Sequence, residues 1–93
     1  MLFFVNKPDV KMLDRVNLVG GEEDKLLLLA GDAVTFATPF FEQRLEDMDV
    51  DEVYAAKDAV ESRNLELSDA CTVVDYNEIV DLLLGSEDKV VSL

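Results

Sequence analysis

Residues 24–37 read DKLLLLAGDAVTFA, and the four consecutive leucines at 26–29 are the strongest fold signal in the chain. An apolar run without polar alternation predicts a strand that is buried on both faces. In a small domain this indicates a parallel sheet with helices on either side. Two further stretches repeat the order of apolar run, turn and helix-period segment: DEVYAAKDAVESRN at 51–64 and CTVVDYNEIVDLLL at 71–84.

Strand-like and helix-like segments alternate along the rest of the chain. Short apolar runs predict strands at 2–5, 26–29, 53–55 and 72–74, with a short edge strand at 90–91. No linker or compositional break divides the chain, so all 93 residues, 1–93, are predicted to form one domain. The predicted fold is α/β, a three-layer α/β/α sandwich around a mostly parallel sheet of four or five strands.

Two of the predicted helices have recognisable starts. Asp32 follows the leucine strand and is expected to cap the next helix, which Pro39 interrupts or restarts. Asp75, with Glu78 three residues later, has the spacing of a capping box. The helix that follows is expected to pack through one apolar face, formed by Ile79, Val80, Leu83 and Leu84.

The composition is that of a folded acidic domain. Hydrophobic residues make up 49% of the chain, and 21 acidic against 8 basic residues give a net charge of −13. Nucleic-acid binders need clustered Lys and Arg to displace counterions, so we expect no direct nucleic-acid binding by the chain alone. A domain this small also gains stability from association, which favours a role as a subunit.

Targeting signals are missing from the N-terminal region. The apolar run at 2–5 is too short for a signal peptide and has no basic segment before it. No stretch approaches the roughly 20 apolar residues of a membrane span. The expected location is therefore the cytoplasm, without a membrane partner.

Catalytic side chains are scarce. The chain has no His and no Trp, and its single cysteine, Cys71, cannot form an internal disulfide. A reactive thiol needs a nearby cation or a helix N-terminus, whereas Cys71 begins a predicted strand close to Asp69. Two interpretations stay open: a buried, inert cysteine, which we prefer, or a sulfur carrier. No other catalytic residue and no cofactor is predicted.

Three alternating aspartates, Asp47, Asp49 and Asp51, have the spacing that opens an EF-hand calcium loop. The pattern then fails, because Glu52 stands where the turn glycine belongs and Asp58 where the bidentate glutamate belongs. We therefore predict a solvated turn and no metal site.

Two groups of residues are candidates for contacts. One short segment cannot bury three aromatic rings completely, and this one contains Phe36, Phe40 and Phe41. Aromatic residues are enriched in the cores of subunit interfaces. A subunit interface is the preferred interpretation, and core packing is its close rival. Asp32 and Lys57 both follow predicted strands, so they are expected either to share a strand-end crevice or to be ordinary surface residues.

Four segments resemble the TusB/DsrH family, the small subunits of the DsrE/DsrF/DsrH sulfur-relay group. They are residues 1–5, 24–35 (DKLLLLAGDAVT), 53–65 (VYAAKDAVESRNL) and 73–82 (VVDYNEIVDL). The resemblance covers nearly the whole chain, in order and with similar spacings. It implies an α/β/α sandwich that assembles with DsrE/TusD-like and DsrF/TusC-like subunits.

The resemblance also implies a function, a non-catalytic subunit of a cytoplasmic complex that passes persulfide sulfur onward. In this family the sulfur-carrying cysteine belongs to the DsrE/TusD-like subunit, and Cys71 matches no family cysteine. We favour 2-thiolation of the tRNA wobble uridine. The alternatives are a subunit of a DsrEFH-type complex for dissimilatory sulfur oxidation, and a homo-oligomeric module without a sulfur role.

Overall fold

A computed structural model describes residues 1–21, 24–85 and 89–93 of the chain. It contains a five-stranded sheet in the order β4-β3-β2-β1-β5, and every neighbouring pair is parallel. The predicted α/β fold is therefore confirmed. The strands are β1 Leu2–Val5, β2 Lys25–Leu29, β3 Val50–Ala56, β4 Cys71–Val74 and β5 Val90–Ser92.

Helices fill the connections between the strands. Helix α1 joins β1 to β2, two short 3₁₀ helices and α2 join β2 to β3, α3 joins β3 to β4, and α4 follows β4. The 3₁₀ helices cover Gly31–Ala37 and Pro39–Phe41. The α-helices are α1 Lys11–Gly20, α2 Glu42–Asp47, α3 Lys57–Arg63 and α4 Tyr76–Gly85.

The strand order determines which face of the sheet each helix covers. The first three crossovers each move one strand in the same direction, whereas the last returns from β4 across the sheet to β5. Crossovers between parallel strands are right-handed, so reversing the direction moves the connecting helix to the opposite face. We call the two sides the three-helix face, covered by α1 to α3 with the 3₁₀ helices, and the α4 face.

The three-helix face holds the main hydrophobic core. The lateral row Phe3, Leu27 and Val53 crosses the three inner strands, and all three side chains are buried. Phe36 from the first 3₁₀ helix, and Leu13 and Val16 from α1, join the same core. This face of the sheet is well covered.

The α4 face is covered only in the middle. The equivalent row runs through Phe4, Leu28, Tyr54 and Thr72. Leu28 is fully buried, Phe4 and Tyr54 are half-buried, and Thr72 is exposed. One helix is about 10 Å wide, whereas five strands spaced about 4.8 Å apart span about 20 Å. A single helix therefore leaves both flanks of this face open.

Helix α4 packs on the sheet through a different stripe from the predicted one. Ile79, Leu82 and Leu83 contact the second hydrophobic cluster, and Leu84 is 82% exposed. The prediction that Leu84 belongs to the packing face is thus wrong, and Leu82 takes that place. The predicted capping box is confirmed: the Glu78 amide donates to Asp75 Oδ1 at 2.9 Å, and the Asp75 amide donates to Glu78 Oε1 at 3.3 Å.

The segment after β2 also departs from prediction. Gly31–Ala37 is a 3₁₀ helix without a side-chain cap, so Asp32 does not cap it. Arg63 on α3 donates to the Asp32 carboxylate instead. The N-cap residue of this 3₁₀ helix is Ala30, so Asp32 lies inside the first turn and its carboxylate is free to pair with the guanidinium on α3.

Lys25, the first residue of β2, is a buried cation, 2% exposed. Its Nζ donates to the carbonyl oxygen of Gly21 at 2.7 Å, at the C-terminal end of α1. A side chain at Gly20 would place Cβ 2.8 Å from Lys25 Cε, so the lysine stem occupies the space above this glycine. Lys25 thereby ties the end of α1 to the start of the central strand.

Leu27 and Leu26 provide a test of the unequal coverage of the two faces, because they are neighbours on β2 that point to opposite sides. Leu27→Ala is expected to lower the free energy of unfolding of the isolated chain by about 2–5 kcal/mol, since it leaves a closed cavity. Leu26→Ala is expected to cost about 1 kcal/mol, because its side chain keeps part of its contact with water. Urea denaturation of the two variants measures the difference, and equal losses would contradict the described asymmetry.

Candidate functional site

Among the candidate residues predicted from the sequence, Cys71 has the most reactive side chain. It is the first residue of edge strand β4. Its Sγ donates to the carbonyl oxygen of Ala37 at 3.4 Å. The Cys71 amide donates to Ser68 O at 3.0 Å, and the Ser68 amide donates to Ala37 O at 2.8 Å. The connector before β4 and the end of the first 3₁₀ helix therefore hold the half-buried thiol in place.

A cavity of about 60 Å³ adjoins the thiol. Its walls are largely apolar, with Phe36 and Leu45 among them, and the carboxylates of Glu42 and Glu46 also line it. Ligand pockets usually measure about 300–1,000 Å³, so this space is too small for an ordinary substrate. The cavity is a packing gap beside the sulfur.

Burial, with a smaller contribution from the negative charge of Glu42, raises the pKa of the Cys71 thiol to about 11. Both causes disfavour the thiolate, which is the nucleophilic form of cysteine. Catalytic cysteines are activated by a nearby cation or a helix N-terminus. The charged group that acts on Cys71 is instead the carboxylate of Glu42. The environment of Cys71 is therefore that of an unreactive thiol.

The strand-end residues Asp32 and Lys57 each have a different partner. Asp32 accepts from Arg63 Nε at 3.1 Å, whereas Lys57 Nζ lies 4.0 Å from Glu61 Oε1, one turn along α3. Both side chains lie at the carboxyl edge of the sheet, after β2 and β3. A shared crevice between them stays a prediction.

The three phenylalanines are divided between the core and the surface. Phe36 is fully buried, Phe41 is half-buried, and Phe40 is 86% exposed. Phe41 links the other two rings by edge-to-face contacts, with ring centroids 5.0 Å apart in each pair. Phe36 is thus part of the chain's own core and is not available for a subunit contact, whereas Phe40 keeps that prediction.

Sequence reasoning missed a groove on the α4 face. It has a volume of about 410 Å³ and lies between α4 and the strands β3 and β4. We call it the α4 groove; it is lined by Tyr54, Thr72, Val74, Glu78, Asp81 and Leu82. The one sequence signal was the row Leu82-Leu83-Leu84, which gives α4 more apolar surface than one packing stripe uses.

Tyr54, one of the residues that line this groove, forms a hydrogen bond with Glu52. The Tyr54 hydroxyl donates to the Glu52 carboxylate, and this hydrogen bond raises the pKa of Tyr54 to about 12, with a smaller contribution from burial. The tyrosine is therefore a neutral donor to Glu52 over the physiological range.

The part of the chain that the structure describes has neither a cluster of metal-ligating side chains nor a membrane-spanning helix. Across residues 1–21, 24–85 and 89–93, no three His, Cys, Asp or Glu side chains converge as metal ligands. Within the same residues, no helix has the length and hydropathy needed to cross a membrane.

Comparison with protein families agrees with the resemblance seen in the sequence. The family described as DsrH like protein matches residues 8–89, which is most of the chain. The chain belongs to the DsrH-like family. Membership supports a sulfur-relay subunit in general terms, with DsrE-like and DsrF-like subunits as the general class of partner.

Comparison with solved structures agrees with the fold. The crystal structure of the ychN protein from E. coli superposes with a TM-score of 0.74 at 20% sequence identity. The match covers 99% of this chain and 97% of that chain. At this identity the similarity shows the fold alone. No curated protein matches the sequence.

Cys71 should react slowly with alkylating reagents. With a pKa of about 11 instead of the usual 9.0, its thiolate fraction at pH 8 is expected to be roughly 100-fold lower than that of an ordinary cysteine. The iodoacetamide rate, followed by mass spectrometry, should therefore keep rising as the pH approaches 11.

The variant Glu42→Gln removes the second cause of this pKa shift. It should lower the pKa of Cys71 and speed alkylation at a fixed pH, whereas Asp69→Asn, close in sequence, serves as the control. A wild-type rate that levels off near pH 8 would contradict the described environment.

Proposed function

We propose that this DsrH-like chain is a non-catalytic, architectural subunit of a cytoplasmic sulfur-relay complex that serves 2-thiolation of the tRNA wobble uridine. The observation that carries the proposal is the environment of Cys71, where burial and Glu42 act together against the thiolate. The persulfide is then carried by a cysteine of a DsrE-like partner. This chain contributes to the assembly and not to the sulfur-transfer steps.

The chemistry of persulfide transfer supports this division of roles. A carrier cysteine must attack as a thiolate and must be reached by the sulfur donor and by the acceptor. Cys71 is half-buried, donates to the Ala37 carbonyl, and adjoins a cavity of only about 60 Å³. The half-buried position and the small adjoining space both disfavour the approach of a second sulfur to Cys71.

The charge of the chain supports a position away from the RNA. Its net charge is −13, and three of its cations, Arg44, Lys57 and Arg63, face carboxylates of the same chain. Phosphate backbones are repelled by such a surface. In this proposal the partner subunits or a downstream enzyme contact the tRNA, and the DsrH-like chain completes the oligomer.

Deletion of the gene tests the proposal directly. Loss of this chain should abolish or strongly reduce 2-thiouridine in the wobble position of the host's tRNA, measured by nucleoside mass spectrometry. Reintroducing Cys71→Ser should restore the wild-type content, because the thiol carries no sulfur. Replacing the carrier cysteine of the DsrE-like partner by Ser is the matched control, and it should not restore the modification.

Three results would contradict the proposal in different ways. Unchanged 2-thiouridine, with loss of growth on reduced sulfur compounds, would assign the chain to a sulfur-oxidation complex of the DsrEFH type. A purified homo-oligomer with neither phenotype would indicate a module without a sulfur role. Failure of Cys71→Ser to restore thiolation, in a folded protein, would make Cys71 a carrier.

A further inference from the structure

The α4 groove combines an apolar floor with an acidic wall. Val74 and Leu82 form apolar parts of its lining, and Glu78 and Asp81 stand along the helix that borders it. Tyr54 also lines the groove, and its hydroxyl donates to the Glu52 carboxylate. Of the described residues that line the groove, none is a Lys or an Arg.

The groove coincides with the part of the sheet that α4 fails to cover. Along the row Leu28, Tyr54 and Thr72, the side chains pass from fully buried on the central strand to half-buried on β3 and exposed on edge strand β4. The equivalent row on the three-helix face, Leu27, Val53 and Cys71, ends in a half-buried residue. The α4 groove, about 410 Å³ in volume, has room for side chains from another molecule.

Helix α4 itself carries apolar surface that its own chain does not use. Tyr76 is 76% exposed and Leu84 is 82% exposed, and with the half-buried Val80 they form a stripe with a spacing of four residues. Exposed apolar patches of this kind are characteristic of protein–protein contact sites. The contact is therefore expected to extend from the groove across α4.

We propose that the α4 groove receives a basic segment of a DsrE-like or DsrF-like partner subunit. An apolar side chain of that segment fills the space over Val74 and Leu82. Lys or Arg residues on either side of it meet Glu78 and Asp81, so that charge complementarity fixes the register of the contact. The inference rests on the proposed function, and it names the surface through which that function is carried out.

A second copy of this chain fits the groove less well. It carries the same net charge of −13, so two copies repel each other over most of their surfaces. Its exposed helix α1 offers Lys11 and Arg15 but places Asp14 between them. The partner that complements this groove is one whose contacting segment carries Lys or Arg residues with an apolar side chain, and no acidic residue, between them.

The test uses the chain together with its co-purified DsrE-like and DsrF-like subunits. Asp81→Lys reverses one charge on the groove wall and leaves the capping box of Asp75 and Glu78 intact. Thr72→Trp fills the groove without changing the charge, and Thr72 is exposed, so the strand tolerates the larger side chain. Each variant is expected to raise the Kd for the partner subunits by about tenfold or more.

Two controls separate the groove from the rest of the surface. Glu66→Lys makes the same charge change at an exposed residue of the connector before β4, and Leu18→Ser removes an exposed apolar side chain from α1, on the three-helix face. Both should leave the Kd close to that of the wild type. Wild-type binding should also weaken as NaCl is raised to about 0.5 M, and that of Asp81→Lys should be less sensitive.

The outcomes distinguish this inference from the proposed function. Wild-type affinity in both groove variants, in a complex that still assembles, overturns the groove as the docking site and leaves the sulfur-relay role intact. A wild-type chain that binds only itself, or nothing, overturns the proposed function as well. Thermal unfolding of each variant shows that it is folded, so that a weakened complex reports on the contact itself.

Discussion

The right-handedness of crossovers between parallel strands is the constraint on which the rest of this structure depends. Three short steps toward β4 place their helices together, and one long return to β5 places α4 by itself on the other side. As a result, helices cover one face of the sheet fully, whereas a single helix covers the other face incompletely. The buried core, the α4 groove and the exposed stripe on α4 all follow from that arrangement.

The same constraint explains which parts of the fold were predictable. The strand β1 was predicted with its observed bounds, because its four apolar residues are closed by polar ones. Strand β3 begins earlier than predicted, at Val50, because an irregularity in its pairing with β2 accommodates Asp51 before Glu52. The order of the strands cannot be read from local patterns, so the difference in coverage between the two faces was not foreseen. Helical spacing alone places Leu84 on the packing face, whereas in the structure the sheet supports the stripe through Ile79, Leu82 and Leu83.

The site shows a similar division between local and distant information. The apolar surroundings of Cys71 could be anticipated from its place in a strand, and the absence of a nearby cation in sequence agreed with an unreactive thiol. The carboxylate of Glu42, 29 residues away in the chain, reaches the sulfur only through the packing of α2 on the sheet. Asp32 illustrates the opposite case: its spacing predicts a helix cap, but Arg63, a tertiary neighbour, takes its oxygen.

The buried Lys25 has a consequence for how the chain can be altered. Its ammonium group reaches back by four residues to the Gly21 carbonyl, and its stem needs the empty space above Gly20. The spacing between these residues is thus as constrained as their identity, since an inserted residue would withdraw the amine from its acceptor and leave a charge enclosed without a partner. The junction between the first helix and the central strand is consequently a poor place for an epitope tag, a cleavage site or a circular permutation.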